Sequence, residues 1–352
     1  MLIHERFIGG NIIVKQIDGD TVTLENDLRD TSRDWFYWAF CVEGAEGHTL
    51  TFQMQPTRIG YWGPAVSHDL KEWRWLDSYN ENSFTYSFGE NESKVYFAHS
   101  MLYHPDRFFE LCKSFCLTTE EFCKSRKGRS VPCLRIGEGK KSIIFTARHH
   151  ACESTGSYVL EGIIEELTAY PVANSRILIV PFVDYDGVID GDQGKDRSPH
   201  DHNRDYIAEP IYPEVSSILK YTDTYGCNFG FDLHSPYHKG GSNDHIFIVR
   251  NLPEKLDRFD AFSDILQGEI TDSSMKYSKE NDYPPLTGWN QPSTNFGYTM
   301  NTRSECILAF SLESTYFGTK DNKVSQEKLI ELGRCYAKTI KKYIEGEKHE
   351  NS

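Results

Sequence analysis

From residue 142 onward the chain repeats one arrangement: a short run of apolar residues, then a stretch with apolar residues at helical spacing. Strands are predicted at 142–147, 176–180, 228–232, 245–249 and 306–312, and helices at 153–169, 212–225, 255–269 and 326–345. Strands buried on both faces read as near-continuous apolar runs, and parallel neighbours need a crossover helix between them. The pattern restricts this part to an α/β fold with a mostly parallel, mixed sheet flanked by helices. Sites in such sheets gather beyond the carboxyl ends of the strands. Polar residues at those ends are therefore the ones to question.

The first hundred residues follow a different rule. Short apolar runs at 11–15, 35–42, 50–54, 84–88 and 94–97 alternate with turn signals, which predicts a small all-β sandwich. Trp35, Trp38, Trp62, Trp73 and Trp75 are read here as core residues, because each ring has much apolar area to bury. Helical patterns begin at 105–116 and 118–125, the second behind a Thr-Thr-Glu-Glu capping signal. The expected division is a sandwich over 1–104 and a larger α/β domain over 105–352, in line with a length of 352 residues.

Composition narrows the partners. A net charge of -14 argues against nucleic acid or a membrane surface, both polyanionic. No stretch approaches the roughly 20 apolar residues that span a bilayer, and the first residues lack the apolar core of a signal peptide. Nine cysteines, an odd number without a C-x-x-C pair, fit a reducing compartment. The expectation is a soluble, cytoplasmic protein whose oligomeric state the sequence leaves open.

Three predicted strands end in residues with metal chemistry. His150 and Glu153 follow the strand at 142–147 and open a helix. Their nitrogen and oxygen suit a borderline ion such as zinc, which needs one more protein ligand and an open position for water. His234 ends the apolar run from Phe229, with Asp232 placed to orient it if the strand continues. Glu313 ends the run Ile307–Leu312, where a carboxylate needs a reason: a general base, or an ion pair with Arg303 or Arg204. The competing reading of the H-x-x-E pair is a loop histidine beside a glutamate favoured by the helix dipole. Asn203-Arg204 adds a directional amide and a fork suited to a free carboxylate.

In this order the segments resemble the zinc carboxypeptidases, specifically their cytosolic carboxypeptidase group. Thr146-Ala-Arg-His-His-Ala-Cys-Glu is similar to that group's Thr-Ala-Arg-x-His-Pro-Gly-Glu, and Asp184-Tyr-Asp-Gly-Val-Ile-Asp-Gly to its Asn-Pro-Asp-Gly-Val-x-x-Gly. Asp201-His-Asn-Arg, Asp232-Leu-His and Glu313-Ser-Thr-Tyr-Phe-Gly resemble its remaining motifs, and a β-sandwich precedes the catalytic domain in that group. The resemblance implies zinc held by His150, Glu153 and His234, with Glu313 as general base. Asn203 and Arg204 would clamp the C-terminal carboxylate of a peptide or protein tail, and a zinc-activated water would attack the last peptide bond.

The chain departs from the pattern at three places. The family's oxyanion arginine falls on Gly194, with Lys195 and Arg197 as the nearest cations. Ala151-Cys152 replaces Pro-Gly between the first two ligands, which makes Cys152 a conceivable intruding ligand. For the mobile substrate-binding tyrosine there are three candidates, Trp289, Tyr298 and Tyr316. Two other functions stay open: a deacylase of N-acyl amino acids or cell-wall peptide amidase on a related scaffold, and a catalytically weak binding protein.

Overall fold

The computed structural model describes residues 1–55, 58–270 and 275–350. Its first part is a two-sheet sandwich. One sheet contains β1 (Leu2–His4), β4 (Ala39–Glu43), β6 (Ala65–Ser67), β7 (Arg74–Trp75) and β9 (Lys94–Ala98), in the order β1-β4-β9-β6-β7. The other contains β2 (Ile13–Asp18), β3 (Thr21–Glu25), β5 (Thr49–Met54) and β8 (Ser83–Ser87), in the order β2-β3-β5-β8. Alternation drives this part: in β5 and β8 every second residue is buried. Trp38, Phe40, Phe52, Phe84 and Phe97 fill the space between the sheets.

The other face of the first sheet does not meet water. Phe36, Ala65, Trp73, Trp75 and Tyr96 join one continuous core with residues from the rest of the chain. Polar bonds fix the same contact. The indoles of Trp62 and Trp75 donate to the carbonyls of Phe317 and Val324, both at 2.8 Å, and the Gln326 side chain accepts from the Trp73 amide. Trp38, Trp73 and Trp75 are buried as expected, but Trp35 and Trp62 are only partly so.

The second part is a seven-stranded sheet. Its strands are β10 (Glu120–Lys124), β11 (Ser130–Ile136), β12 (Lys141–Ala147), β13 (Ser175–Val180), β14 (Phe229–His234), β15 (Phe247–Val249) and β16 (Leu308–Glu313). The order is β10-β11-β13-β12-β14-β16-β15, and the middle four, β13-β12-β14-β16, are parallel. Around it lie α1 (Pro105–Ser114), α2 (Ser154–Ala169), α3 (Tyr185–Asp190), α4 (Pro213–Tyr225), α5 (Leu256–Glu269), α6 (Phe296–Asn301) and α7 (Gln326–Glu350). The mixed sheet flanked by helices is the predicted fold. The helix read at 118–125 is wrong: Glu120–Lys124 pairs antiparallel with β11 through a turn at Gly128, whose φ is +78°. Pairing with the next strand in a hairpin outweighed the local capping signal there. Among the described residues no helix is long and apolar enough to cross a membrane.

Candidate metal centre and catalytic cleft

Three parallel strands deliver the site. β14 and β16 run in register, so that His234 and Glu313 are direct partners at their carboxyl ends. Neighbouring strands lie about 4.8 Å apart, which puts the imidazole and the carboxylate side by side. β12 ends at Ala147, opposite Leu233 of β14. Beyond it the chain turns sharply at Arg148, φ +61°, and the buried guanidinium of that residue donates from Nε to the Ala151 carbonyl at 2.8 Å. The turn returns Glu153 to the start of α2 and leaves His150 facing the same point.

The ligating atoms of His150, Glu153 and His234 lie within 4.8 Å of one another. Nδ1 of His150 is 2.9 Å from Oε1 of Glu153, and Nδ1 of His234 is 2.6 Å from Oε2. Behind the other nitrogen of each ring stands an acid. Nε2 of His150 faces Oδ1 of Asp201 at 3.7 Å, and Nε2 of His234 lies 2.6 Å from Oδ2 of Asp232. Asn203 Nδ2 is also 3.1 Å from that Nε2, but one ring N–H cannot both donate to Asp232 and accept from Asn203. A carboxylate only accepts, so the bond goes to Asp232, and the Asn203 amide keeps a donor to spare. Two Nδ1 atoms and a carboxylate, with Nε2 of His234 bonded to Asp232 and that of His150 facing Asp201, match zinc's donor preference.

A second group, His149, Asp232 and His234, lies behind the first. The Asp232 carboxylate also accepts from Thr146 Oγ1 at 2.8 Å and contacts Nδ1 of His149 at 2.7 Å, while Nε2 of His149 meets the Tyr206 hydroxyl at 2.7 Å. Both nitrogens of His149 are thus engaged and its ring is fully buried. His150, Glu153 and His234, by contrast, line a cleft of about 350 Å³.

The charged groups of the cleft act on one another. Burial opposes ionisation of Glu153, but Lys195, His150 and His234 outweigh it and hold the carboxyl well below its ordinary range. Burial likewise opposes a charged His234, while Asp232 and Glu153 hold it well above an ordinary imidazole. Glu313 goes the other way: burial pushes its carboxyl up to about 7, against the pull of His234. Its Oε2 is buried with no hydrogen-bond partner. Neither arginine that might have paired it does so. Arg303 binds Asp223 and Glu305, and Arg204 donates to the Asn203 carbonyl.

The remaining candidates separate clearly. Asn203, Arg204 and Lys195 line the cleft. Arg197 does not; its guanidinium is taken by Asp30, Asp184 and Asp192 at 2.8–3.0 Å. Tyr298 lies on α6, outside the cleft lining, and Tyr316 is fully buried. Trp289, 57% exposed and stacked on Tyr283, does line the cleft. The Cys152 thiol is buried, pushed up to about 12 by that burial, and contacts the Tyr316 hydroxyl at 3.9 Å. Sequence reasoning missed Asp201, two residues ahead of Asn203 in the Asp-x-Asn-Arg segment. It also missed Tyr237, and it read the cleft-lining Trp35 as core.

The fold matches solved metallo-carboxypeptidases over nearly the whole chain. The enzyme from Burkholderia cenocepacia superposes with a TM-score of 0.80 at 18% identity, covering 98% of this chain and 99% of the other. One from Pseudomonas aeruginosa, solved with (2-guanidinoethylmercapto)succinic acid, gives 0.79 at 20% identity, with the same coverage. In sequence, an uncharacterized protein of Zymomonas mobilis is 28% identical over 311 residues, 80% of each chain. Cytosolic carboxypeptidase 2 of Xenopus tropicalis is 28% identical over 149 residues, 35% of this chain and 15% of that much longer protein. The zinc carboxypeptidase family model matches residues 110–351, and the chain belongs to that family.

Proposed function

We propose that the chain is a zinc metallocarboxypeptidase that hydrolyses the C-terminal peptide bond of peptides or protein tails. His150, Glu153 and His234 hold the metal, Glu313 is the general base, and Asn203 with Arg204 binds the substrate's terminal carboxylate. The observation that carries this reading is Glu313: a buried carboxylate with a free oxygen, one strand from His234, in an open cleft. Zinc, when bound, supplies Lewis acidity that polarises the carbonyl and acidifies a water molecule. Glu313 would take a proton from the attacking water and return it to the leaving amine, a step worth about 10²–10⁴ in rate. The free N–H of Asn203 and the exposed Arg204 fork orient the peptide end.

We assign residues 105–352 to the catalytic part and 1–104 to the sandwich. All nine cysteines are free thiols, which supports a reducing compartment such as the cytoplasm. The test is hydrolysis of a peptide panel by zinc-loaded protein beside Glu313→Gln. That variant is expected to keep stoichiometric zinc and lose at least about 100-fold in kcat. Loss of zinc from it would remove Glu313 from its role. Cleavage of N-acyl amino acids without cleavage of any peptide would replace this function with a deacylase.

A further inference from the structure

We propose that Lys195 is the cation that faces the reacting carbonyl oxygen, and that Trp35, from the amino-terminal sandwich, is the residue that positions it. The inference rests on the proposed function and names a residue and a contact that it lacks. Lys195 is buried in the cleft wall, with Nζ 2.5 Å from Oε1 of Glu153, the oxygen that His150 also contacts. The arginines lining the cleft, Arg33 and Arg204, are both exposed.

The neighbours of Lys195 explain why the charge sits there. A side chain at Gly194 is excluded: φ is +77°, and a Cβ would lie 2.2 Å from the Ala151 nitrogen. Arg197 is spent on three carboxylates. Lys195 is left as the loop's one cation pointing into the cleft, and an ammonium presents three rotatable donors as a compact charge.

The sandwich holds this loop in place. Lys195 Nζ lies over the Trp35 ring at 4.6 Å, a cation–π contact. The Trp35 indole N–H donates to Oδ2 of Asp196 at 3.0 Å, so one ring fixes two successive loop residues. Gln193 bonds the Tyr37 backbone through both ends of its amide, accepting at 2.9 Å and donating at 2.8 Å. Asp30 accepts from the amides of Gln193 and Gly194 at 2.9 and 2.8 Å. As water adds to the carbonyl carbon, the C=O pair moves onto oxygen and Lys195 donates a hydrogen bond to it. When the C–N bond breaks the pair returns, and the amine leaves with the proton from Glu313.

The experiment uses the full-length, zinc-loaded protein and variants Lys195→Met, Lys195→Arg, Trp35→Leu and Trp35→Phe. It measures kcat and KM on a peptide, zinc content, and affinity for a phosphonate peptide analogue of the tetrahedral state. Lys195→Met is expected to lose about 10²–10³ in kcat and a similar factor in phosphonate affinity, with zinc retained and KM little changed. Lys195→Arg should restore part of both. Trp35→Leu should lower kcat at least tenfold with KM within about twofold, and Trp35→Phe, which keeps a ring, should recover most of it. Unchanged kcat and phosphonate affinity in Lys195→Met overturns the assignment, as does an equal loss from Arg197→Lys in a protein of unaltered stability. Absence of peptide cleavage by the parent overturns the proposed function instead, and phosphonate affinity then still decides the role of Lys195.

Discussion

Each imidazole of the cleft is braced from behind by an acid, and the two braces differ in strength. Asp232 touches its histidine at 2.6 Å, whereas Asp201 stands 3.7 Å from His150. Asp201 is itself well anchored, accepting from the amides of Asn203 and Asp196. Its replacement by Asn should weaken zinc binding by about 10–100-fold with the fold intact, read by competition with a chelator. A second acid nearby has no such role. Glu214 is buried on α4, with Oε2 unpartnered and 3.8 Å from Nε2 of His202. Burial pushes its carboxyl up to about 8, from 4.5 in the unfolded chain. A raised carboxyl pKa means that its contribution to stability is complete below pH 4.5 and is lost as pH climbs through about 8. Glu214→Gln should therefore match the parent near pH 4.5 and exceed it at pH 8 by a margin on the order of a few kcal/mol, measured by denaturant unfolding. Legibility at this scale followed chain distance. His150, Glu153, His234 and Glu313 could be singled out because each lies at or just beyond the carboxyl end of an apolar run. Lys195 and Arg197 could not be ranked, because the choice between them depends on Asp30 and Trp35, more than 150 residues away.

At the level of elements, the four central strands were legible to within about two residues at most ends, because burial on both faces leaves an unbroken apolar run. The hairpin of β10 and β11 was not. β10 is largely exposed and carries two glutamates and a lysine, so that only its pairing with β11 makes it a strand. Helix packing offers a sharper test. α2 and α7 cross where Gly162 of one meets Ile330 of the other and Gly333 meets Val159. A Cβ on Gly162 would lie 1.9 Å from the Ile330 carbonyl oxygen, and one on Gly333 would lie 2.0 Å from that of Val159. Backbone, unlike a side-chain tip, cannot step aside. Gly162→Ala should destabilise the protein by about 3 kcal/mol or more, despite Ala's better helix propensity, as read by thermal unfolding.

Across the whole molecule, the sandwich and the α/β part share a core rather than a linker. Phe36 packs on Tyr316 at 5.5 Å and Trp75 on Phe317 at 5.5 Å, within one continuous apolar cluster. Unfolding is accordingly expected as one calorimetric transition with equal calorimetric and van't Hoff enthalpies; two separable peaks would show that the parts fold independently. The spacing of apolar residues announced two kinds of architecture but not this shared face, since a strand's alternation shows that it has a buried side without naming the partner. The order of the strands has one more consequence, for synthesis. β16 lies between β14 and β15 in the sheet but follows both in the chain. Chains emerge and fold from the amino terminus, so all three proposed metal ligands leave the ribosome before residue 235, while Glu313 follows almost eighty residues later. A nascent chain can thus gather the proposed metal-binding groups while the proposed base is still missing, and the complete site arrives only as the sheet closes.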